Sequence, residues 1–383
     1  MKLIVECLII ILLVFSITVA YELKFVGTFI RHGDRVPTKN IPDDGTIWEC
    51  KLNSLEMYNN HNFPKPTPSR HFGKKFIYDR NILPGNCSRG QLTEIGAKQQ
   101  QDLGSKFRNK YVDDLNFLPR ELDPDLIWLR STDTSRTMRS AANFFSGLYP
   151  PKDKKKQDVF PIHTMDWNNE NMHFNTKLCP RLAILKNQIK RSAKYRAHMD
   201  SIDFFIYQID KIYGFIDLDG HSLLTLYNNA VFRIRHNKTL PNGLTENLIK
   251  QLKKEGGWYA NFVMGNKTLV KLTIGPFLQD LLDAFDSKIT GENQHKFHLY
   301  SAHNSGIVPL LAAYDSFDST PVEFASNVVF ELYQEKKKYY IKLSYNDKVI
   351  KIPGCKQEMC PYSKFKKITQ KMIPKNYEKE CRI

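Results

Sequence analysis

The chain has 383 residues, with 56 Lys and Arg against 40 Asp and Glu and a formal net charge of +16 at pH 7. The positive charge lies in many short lysine clusters, none with the aromatic interleaving or zinc spacing of a nucleic-acid module, so we expect no nucleic-acid partner. After residue 20, no stretch approaches the roughly 20 apolar residues that a membrane span needs.

Residues 1–20 have the pattern of a secretory signal peptide, with one early lysine, an apolar run at 8–15 and small residues before Tyr21. We predict cleavage before Tyr21 and a secreted, extracellular, soluble protein. A retained N-terminal anchor is the alternative, which the short apolar run disfavours. Six cysteines lie outside this segment, enough for three disulfides in an oxidising compartment. Sequons at Asn86, Asn237 and Asn266 predict N-glycosylation in the same compartment.

The motif at residues 31–37 follows the apolar run 23–30, which is typical of a buried strand. Gly33 and Pro37 end that strand, so Arg31, His32 and Arg35 lie at its carboxyl end. Ligands bind at this end in open α/β sheets. Guanidinium groups match phosphate with bidentate hydrogen bonds, and a neutral imidazole beside them is a candidate nucleophile. The pattern therefore predicts a phosphate site.

Two later strands end in the same way. Residues 125–129 predict a buried strand that ends at Arg130, and residues 296–302 predict another that ends before His303 and Asn304. A lone Arg is usually a surface residue, and a lone buried His is usually structural. Their combination with the first motif favours an anion pocket where the strands converge.

The strand and helix patterns predict an α/β fold with a central mixed, mostly parallel sheet flanked by helices. Thr93 is the expected N-cap of an amphipathic helix over residues 93–111. Residues 21–149 and 258–383 form the expected core domain, and residues 150–257 a mostly helical cap insertion over the pocket. A second independent domain is the alternative for the insertion. Residues 40–86 are expected to form a long loop near the pocket mouth.

Taken together, these motifs resemble the histidine acid phosphatases, a branch of the histidine phosphatase superfamily marked by an Arg-His-Gly-x-Arg-x-Pro motif and a later His-Asp pair. The likeness covers nearly all of residues 22–383. It implies His32 as the nucleophile, which becomes phosphohistidine, and no metal or cofactor. It also implies a phosphate cradle, formed by Arg31, Arg35, Arg130 and His303.

The same resemblance implies the disulfide pairs. It pairs Cys179 with Cys381 and Cys355 with Cys360, and it leaves Cys50 to pair with Cys87, an arrangement that would pin the long loop.

Asn304 stands where the resemblance implies an aspartate that protonates the leaving group. A carboxamide cannot release a proton, and general acid catalysis contributes about 10²- to 10⁴-fold. We therefore expect phosphomonoester turnover to be weak or absent. Asp34 and Asp133 are alternative acids, but nothing in the sequence directs either at the leaving oxygen. Replacing Asp by Asn also removes a negative charge, which favours anion binding.

A scaffold that keeps its anion cradle and loses its acid resembles the salivary acid phosphatase-like proteins of fleas, which bind biogenic amines and leukotrienes. The resemblance implies a salivary scavenger of small host mediators. A secreted acid phosphatase that acts through His32 is the alternative function. A leukotriene carboxylate suits the arginines, whereas an amine such as serotonin needs an acid and aromatic faces. Trp48, Trp167 and Tyr207 are candidate neighbours, and no sequence feature assigns an oligomeric state.

Overall fold

The computed structural model describes residues 21–38, 45–50, 83–151, 160–214 and 218–383. The predicted signal segment and most of the predicted long loop lie outside these ranges. At the centre is a seven-stranded sheet, with strands β1 (Glu22–Arg31), β2 (Ile127–Ser131), β3 (Phe297–Ala302), β4 (Asn327–Glu335), β5 (Lys338–Tyr345), β6 (Lys348–Ile350) and β7 (Cys360–Pro361). The strand order is β2-β3-β1-β4-β5-β6, and β7 pairs with β5.

The sheet is mixed, as predicted. Strands β2, β3 and β1 run parallel, whereas β4 and the strands beyond it pair antiparallel. The parallel part is smaller than expected, because an antiparallel hairpin of β4 and β5 joins the sheet beside β1 and is itself extended by two short strands.

The register of the parallel strands brings their carboxyl ends together. Arg31 lies opposite Ala302, and Ser131 lies opposite Ser301. The residues that follow, His32, Thr132 and His303, therefore leave the sheet at one edge. This alignment is the main reason that three segments distant in the sequence form one site.

Helices cover both faces of the sheet. One face carries α1 (Glu94–Arg108) and α2 (Ser135–Leu148), which pack through Phe107 and Phe144 against Leu299. The predicted helix over residues 93–111 corresponds to α1 and the π-helical turn after it. Thr93 is its N-cap, as predicted, and accepts a hydrogen bond from the Gly96 amide.

The remaining helices, in chain order, are α3 (Arg181–Lys190), α4 (Ala193–Ser201), α5 (Asp203–Tyr213), α6 (Gly220–Arg235), α7 (Glu246–Met264), α8 (Lys267–Thr290), α9 (Asn304–Ala313), α10 (Tyr362–Gln370) and α11 (Tyr377–Cys381). Helices α8, α9 and α10 cover the second face of the sheet, where Phe277, Leu310 and Phe365 belong to the largest apolar core.

Helices α3 to α7 occupy the region predicted as a cap. Two smaller apolar clusters lie there, one centred on Leu182 and Tyr259 and the other on Phe205 and Leu226. The predicted boundary at residue 257 falls inside α7, so the chain passes from this region towards the core within a continuous helix.

The structure contains the three expected disulfides, Cys50–Cys87, Cys179–Cys381 and Cys355–Cys360. Cys179–Cys381 joins the start of the helical region to the end of the chain. Within the described ranges, no helix combines the length and the apolar character needed to cross a membrane.

Candidate active site

The loop that follows β1 is held in place by the first two helices. The Gln100 side chain donates to the Arg31 carbonyl over 2.8 Å, and the Gly33 amide donates to the Ser140 hydroxyl over 3.1 Å. Gly33 also lies so close to Gly96 that an added Cβ would come within 2.2 Å of the Gly96 carbonyl oxygen. A side chain at position 33 would therefore push the loop away from α1.

His32 is buried, and its ring orientation is set by a hydrogen bond of 2.8 Å from Nδ1 to the Gly33 carbonyl. Because a carbonyl only accepts, Nδ1 carries the proton and Nε2 keeps its lone pair. Burial lowers the pKa of His32 well below its usual value, and the nearby charges of Arg136 and Arg31 lower it further. The imidazole is therefore neutral, as a nucleophile must be.

Three arginines surround this imidazole. Burial lowers the pKa of Arg31 and of Arg136 to about 10, and burial also lowers the pKa of Arg35. The Nε atom of each is buried without a hydrogen-bond partner among the described residues, where none of the three forms an ion pair with a carboxylate. Arginine donors without an acceptor indicate a site for an oxyanion.

Aromatic rings fix two of these guanidinium groups. The Cζ atom of Arg31 lies 4.0 Å from the centre of the Phe324 ring, and that of Arg35 lies 4.8 Å from the centre of the Phe232 ring. Arg31 also donates to the Val322 carbonyl. The planar groups are held before any ligand arrives, which reduces the entropy lost on binding.

His303 faces the same space. Its ring centre lies 5.5 Å from that of His32. The Nε2 atom is 3.0 Å from the Thr132 hydroxyl, and Nδ1 accepts from Arg136 over 3.4 Å. Burial lowers its pKa, as does the charge of Arg136. We define the His32 pocket by these five residues: Arg31, His32, Arg35, Arg136 and His303.

The prediction that Arg130 belongs to this cradle is corrected by the structure. Arg130 donates to Glu170 and to Asp280, each over 2.9 Å, and to Asn171 over 2.7 Å. Residues alternate between the two faces of a strand, and Arg130 faces α8 together with Trp128. Arg136, in the first turn of α2, occupies the place that sequence reasoning gave to Arg130.

The signal for Arg136 was present in the sequence, since it lies in the first turn of the helix that follows a core strand. Such a residue points back towards the strand end regardless of strand alternation. Position at the carboxyl end of a strand does not by itself show which face of the sheet a side chain takes.

Asn304 is the first residue of α9, directly after His303, and is partly exposed. The alternative acids are not placed to replace it. Asp34 is fully buried and accepts from His236 over 2.6 Å and from Thr93 over 2.8 Å. Asp133 is exposed to solvent. Asp34 is therefore already engaged by two hydrogen-bond partners, and no contact joins Asp133 to the His32 pocket among the described residues.

Of the three candidate aromatic neighbours, one borders the pocket. Trp167 stacks on His173 with ring centres 4.2 Å apart, lies 5.9 Å from His303 and is 41% exposed. Trp48 is buried and contacts His236 instead. Tyr207 is exposed on α5, with the ammonium of Lys211 over its ring.

His173 is a site residue that sequence reasoning missed. Its Nδ1 is 2.9 Å from the Phe174 carbonyl, and its Nε2 is buried without a partner among the described residues. Burial lowers the pKa of His173. Neutral His173 therefore offers a hydrogen-bond acceptor near His303. Its sequence surroundings, an irregular stretch before α3, carry no motif that would have revealed it.

The three predicted glycosylation positions lie at different kinds of site. Asn237 is exposed at the end of α6. Asn266 is the N-cap of α8 and accepts from the Leu269 amide over 2.9 Å. Asn86 accepts from the Cys50 amide over 2.6 Å.

The site combines a neutral imidazole with a free Nε2, three arginines and a second histidine at the carboxyl ends of the parallel strands of the mixed sheet. This arrangement defines a phosphoryl-binding site with a candidate nucleophile. The family described as "Histidine phosphatase superfamily (branch 2)" matches residues 22–346, and the chain belongs to this family.

Several relatives match over most of their length. Counting factor 60 of Dictyostelium discoideum is 29% identical, with 94% of this chain and 88% of that protein covered. Prostatic acid phosphatase of Rattus norvegicus is 26% identical, with 94% and 90% covered. Lysosomal acid phosphatase of Xenopus laevis is also 26% identical, with 94% and 79% covered.

Solved structures share the fold. Hafnia alvei phytase in complex with tartrate has a TM-score of 0.64 at 14% identity, with 95% of this chain and 99% of that chain covered. The phytase of Citrobacter braakii has a TM-score of 0.62 at 13% identity, with 94% and 100% covered.

Proposed function

We propose that the protein binds small anionic molecules in the His32 pocket and turns over phosphomonoesters slowly or not at all. One observation carries this proposal: a pocket with a neutral nucleophile and three arginines that have free donors has Asn304 next to His303. Binding and nucleophilic attack need the groups that are present. Departure of a basic leaving group needs the one that is missing.

The expected chemistry follows from this arrangement. His32 Nε2 attacks phosphorus, the P–O bond to the leaving group breaks, and the electron pair leaves with the oxygen. Asn304 cannot protonate that oxygen, which removes a contribution of about 10²- to 10⁴-fold, or roughly 3 to 5 kcal/mol of barrier. Aryl phosphates with stable leaving groups should react slowly, and alkyl phosphates should persist as bound ligands.

Small lipid mediators are the anionic ligand class that we propose. A leukotriene carries a carboxylate for the arginines and a long apolar body, and Trp167 offers an exposed aromatic surface beside His303. Biogenic amines such as serotonin are the second proposed class. Their ammonium group would be repelled by the arginines of the His32 pocket, so they require a different site.

An active phosphomonoesterase is the alternative function. The neutral state of His32 and its free Nε2 favour it, since both are requirements for a phosphohistidine intermediate. This alternative needs a proton donor other than Asn304, Asp34 or Asp133.

Restoring the acid tests the proposal. We expect Asn304→Asp to raise hydrolysis of alkyl phosphates near pH 5 by about two orders of magnitude or more, and hydrolysis of p-nitrophenyl phosphate, whose leaving group needs little protonation, by less. The double variant His32→Ala with Asn304→Asp is the control and should lose the gained activity. Vigorous hydrolysis of both aryl and alkyl phosphates by the wild type would contradict the proposal. Tight vanadate binding by an inert Asn304→Asp variant would leave anion binding as the function.

We further propose that the protein is secreted, in keeping with a salivary scavenger, that residues 150–257 act as a cap on the core, and that Asn237 carries a glycan. The three disulfides and the exposure of Asn237 support an extracellular location. Expression in insect cells, followed by N-terminal sequencing and glycopeptide mapping of the medium, should find a start at Tyr21. An intact N-terminus on membrane-bound protein would contradict secretion.

A further inference from the structure

A second cleft lies between β2, β3 and α8, on the face of the sheet opposite to α1 and α2. Its volume is about 580 Å³, within the range of about 300 to 1,000 Å³ that is typical of small-molecule sites. Six residues define what we name the acidic cleft: Trp128, His163, Met165, Asp280, Asp283 and Tyr300.

One wall of the acidic cleft is aromatic. Trp128 and Tyr300 come from adjacent strands, with ring centres 5.6 Å apart. His163 stacks on Trp128 at 5.2 Å, with an angle of 21° between the rings. The His163 backbone is tied to β2, because its amide donates to the Leu129 carbonyl over 2.8 Å. The indole is therefore held by rings on two sides, which gives the cleft a rigid apolar surface.

The other wall is acidic. Asp280 and Asp283 lie one turn apart on α8. Among the described residues that line the cleft, Arg130 is the only Lys or Arg, and its charge is shared between Asp280 and the buried Glu170. Asp283 is exposed and accepts from Gln279 over 2.7 Å, but no cation pairs with it among the described residues. Arg130 is therefore neutralised by Asp280 and Glu170, while the carboxylate of Asp283 keeps its charge unpaired among the described residues, which leaves the cleft attractive to a cation.

Aromatic faces combined with carboxylates are the chemistry that binds an organic ammonium ion. An anion would meet Asp280 and Asp283, and a purely apolar molecule would leave these carboxylates unused. We propose that the acidic cleft binds a primary ammonium group linked to an aromatic ring by a short alkyl chain, with the ring against Trp128 and the ammonium at Asp283 and Asp280. The inference rests on the amine binding proposed above and gives it a site separate from the His32 pocket.

Tryptamine is a suitable probe, because it joins an indole to a primary ammonium, and indole-3-propionate is the matched anion. Calorimetric titration should show that the wild type binds tryptamine more tightly than indole-3-propionate. Asp283→Asn should weaken tryptamine binding by about fivefold or more, and Trp128→Leu by a similar factor. Asp283 is exposed, so its replacement should leave the fold intact, and circular dichroism checks this.

Arg136→Gln is the control variant, since it alters the other site, and it should leave tryptamine affinity unchanged within about twofold. Saturating vanadate should also leave tryptamine affinity unchanged. The inference is overturned if the wild type does not bind tryptamine, if vanadate displaces it, or if Asp283→Asn and Trp128→Leu both bind it as the wild type does. Vanadate titration of the same protein reports separately on the proposed anion site.

Discussion

The acidic cleft lies along β2 and β3, and Arg136 and His303 of the His32 pocket follow the same two strands in the chain. The arginines of the two regions, Arg130 and Arg136, are only six positions apart, yet the electrostatic character of the regions is opposite. The Nε atoms of both arginines are buried without an acceptor among the described residues, but Arg136 pairs with no carboxylate there, whereas Arg130 binds both Glu170 and Asp280. The presence of carboxylate partners therefore decides whether an arginine holds the protein together or remains available for a ligand. Residue type and position at a strand end do not decide it.

Exchanging each arginine for glutamine should give the largest contrast between the two regions. Arg130→Gln leaves the buried Glu170 without its partner and should lower the free energy of unfolding by about 3 kcal/mol or more, with little change in vanadate affinity. Arg136→Gln should weaken vanadate binding by about 10- to 100-fold, because it removes charge-assisted hydrogen bonds to the oxyanion. Urea unfolding and calorimetry measure the two effects.

The opposite pattern would contradict the assignment of the two arginines. If Arg130→Gln abolished vanadate binding while Arg136→Gln retained it, the original prediction from the sequence would be correct. Arg130 would then belong to the anion site, and Arg136 would not.

Acid should destabilise the protein, because both regions contain buried histidines whose pKa values are lowered. The effect of one of them, His298 beside the acidic cleft, can be measured separately. Burial lowers the pKa of His298 to about 3, helped by His295 and Lys288. In the unfolded chain His298 is therefore protonated below about pH 6.5, whereas in the folded chain it stays neutral down to about pH 3. Stability is fully present above pH 6.5 and falls as the pH drops, by about 2 kcal/mol from this residue between pH 7 and pH 5.

His298→Gln removes this penalty. We expect the variant to lose about 2 kcal/mol less than the wild type between pH 7 and pH 5, as measured by urea unfolding at both values. Its stability at pH 7 should be lower than that of the wild type, because the substitution disturbs two hydrogen bonds of the imidazole. His298 Nδ1 lies 3.1 Å from the Tyr300 hydroxyl, and His298 Nε2 lies 3.1 Å from His295 Nδ1. Equal acid sensitivity of the two proteins would show that His298 takes up its proton in the folded state as readily as in the unfolded one.

The fold was largely predictable from local patterns. Apolar runs that end at Gly and polar residues identified β1, β2 and β3, and their common parallel direction brought His32 and His303 together as expected. The antiparallel share of the sheet is larger than predicted, in part because β6 and β7, only three and two residues long, could not be recognised in the sequence. Such short segments have no periodicity to detect.

The site was predictable where a motif is contiguous and less so where tertiary packing decides. Arg31, His32 and Arg35 lie in one loop and converge as predicted, whereas the side-chain direction of Arg130 depends on the strand face and on carboxylates from α8 and residue 170. His173 reaches the site only because residues 172–174 pack against the start of α9, where the Phe174 amide donates to the Ser305 carbonyl over 3.3 Å. Sequence spacing alone contains neither fact.

The central claim is that the His32 pocket lacks only the proton donor for the leaving group. The dependence of kcat/KM on the pKa of the leaving group tests it most directly, with a series of phosphate esters from dinitrophenyl to alkyl phosphates. For the wild type we expect a steep fall as the leaving group becomes more basic, and for Asn304→Asp a shallow one. A shallow dependence in the wild type would show that another group already protonates the leaving oxygen, which would contradict the account.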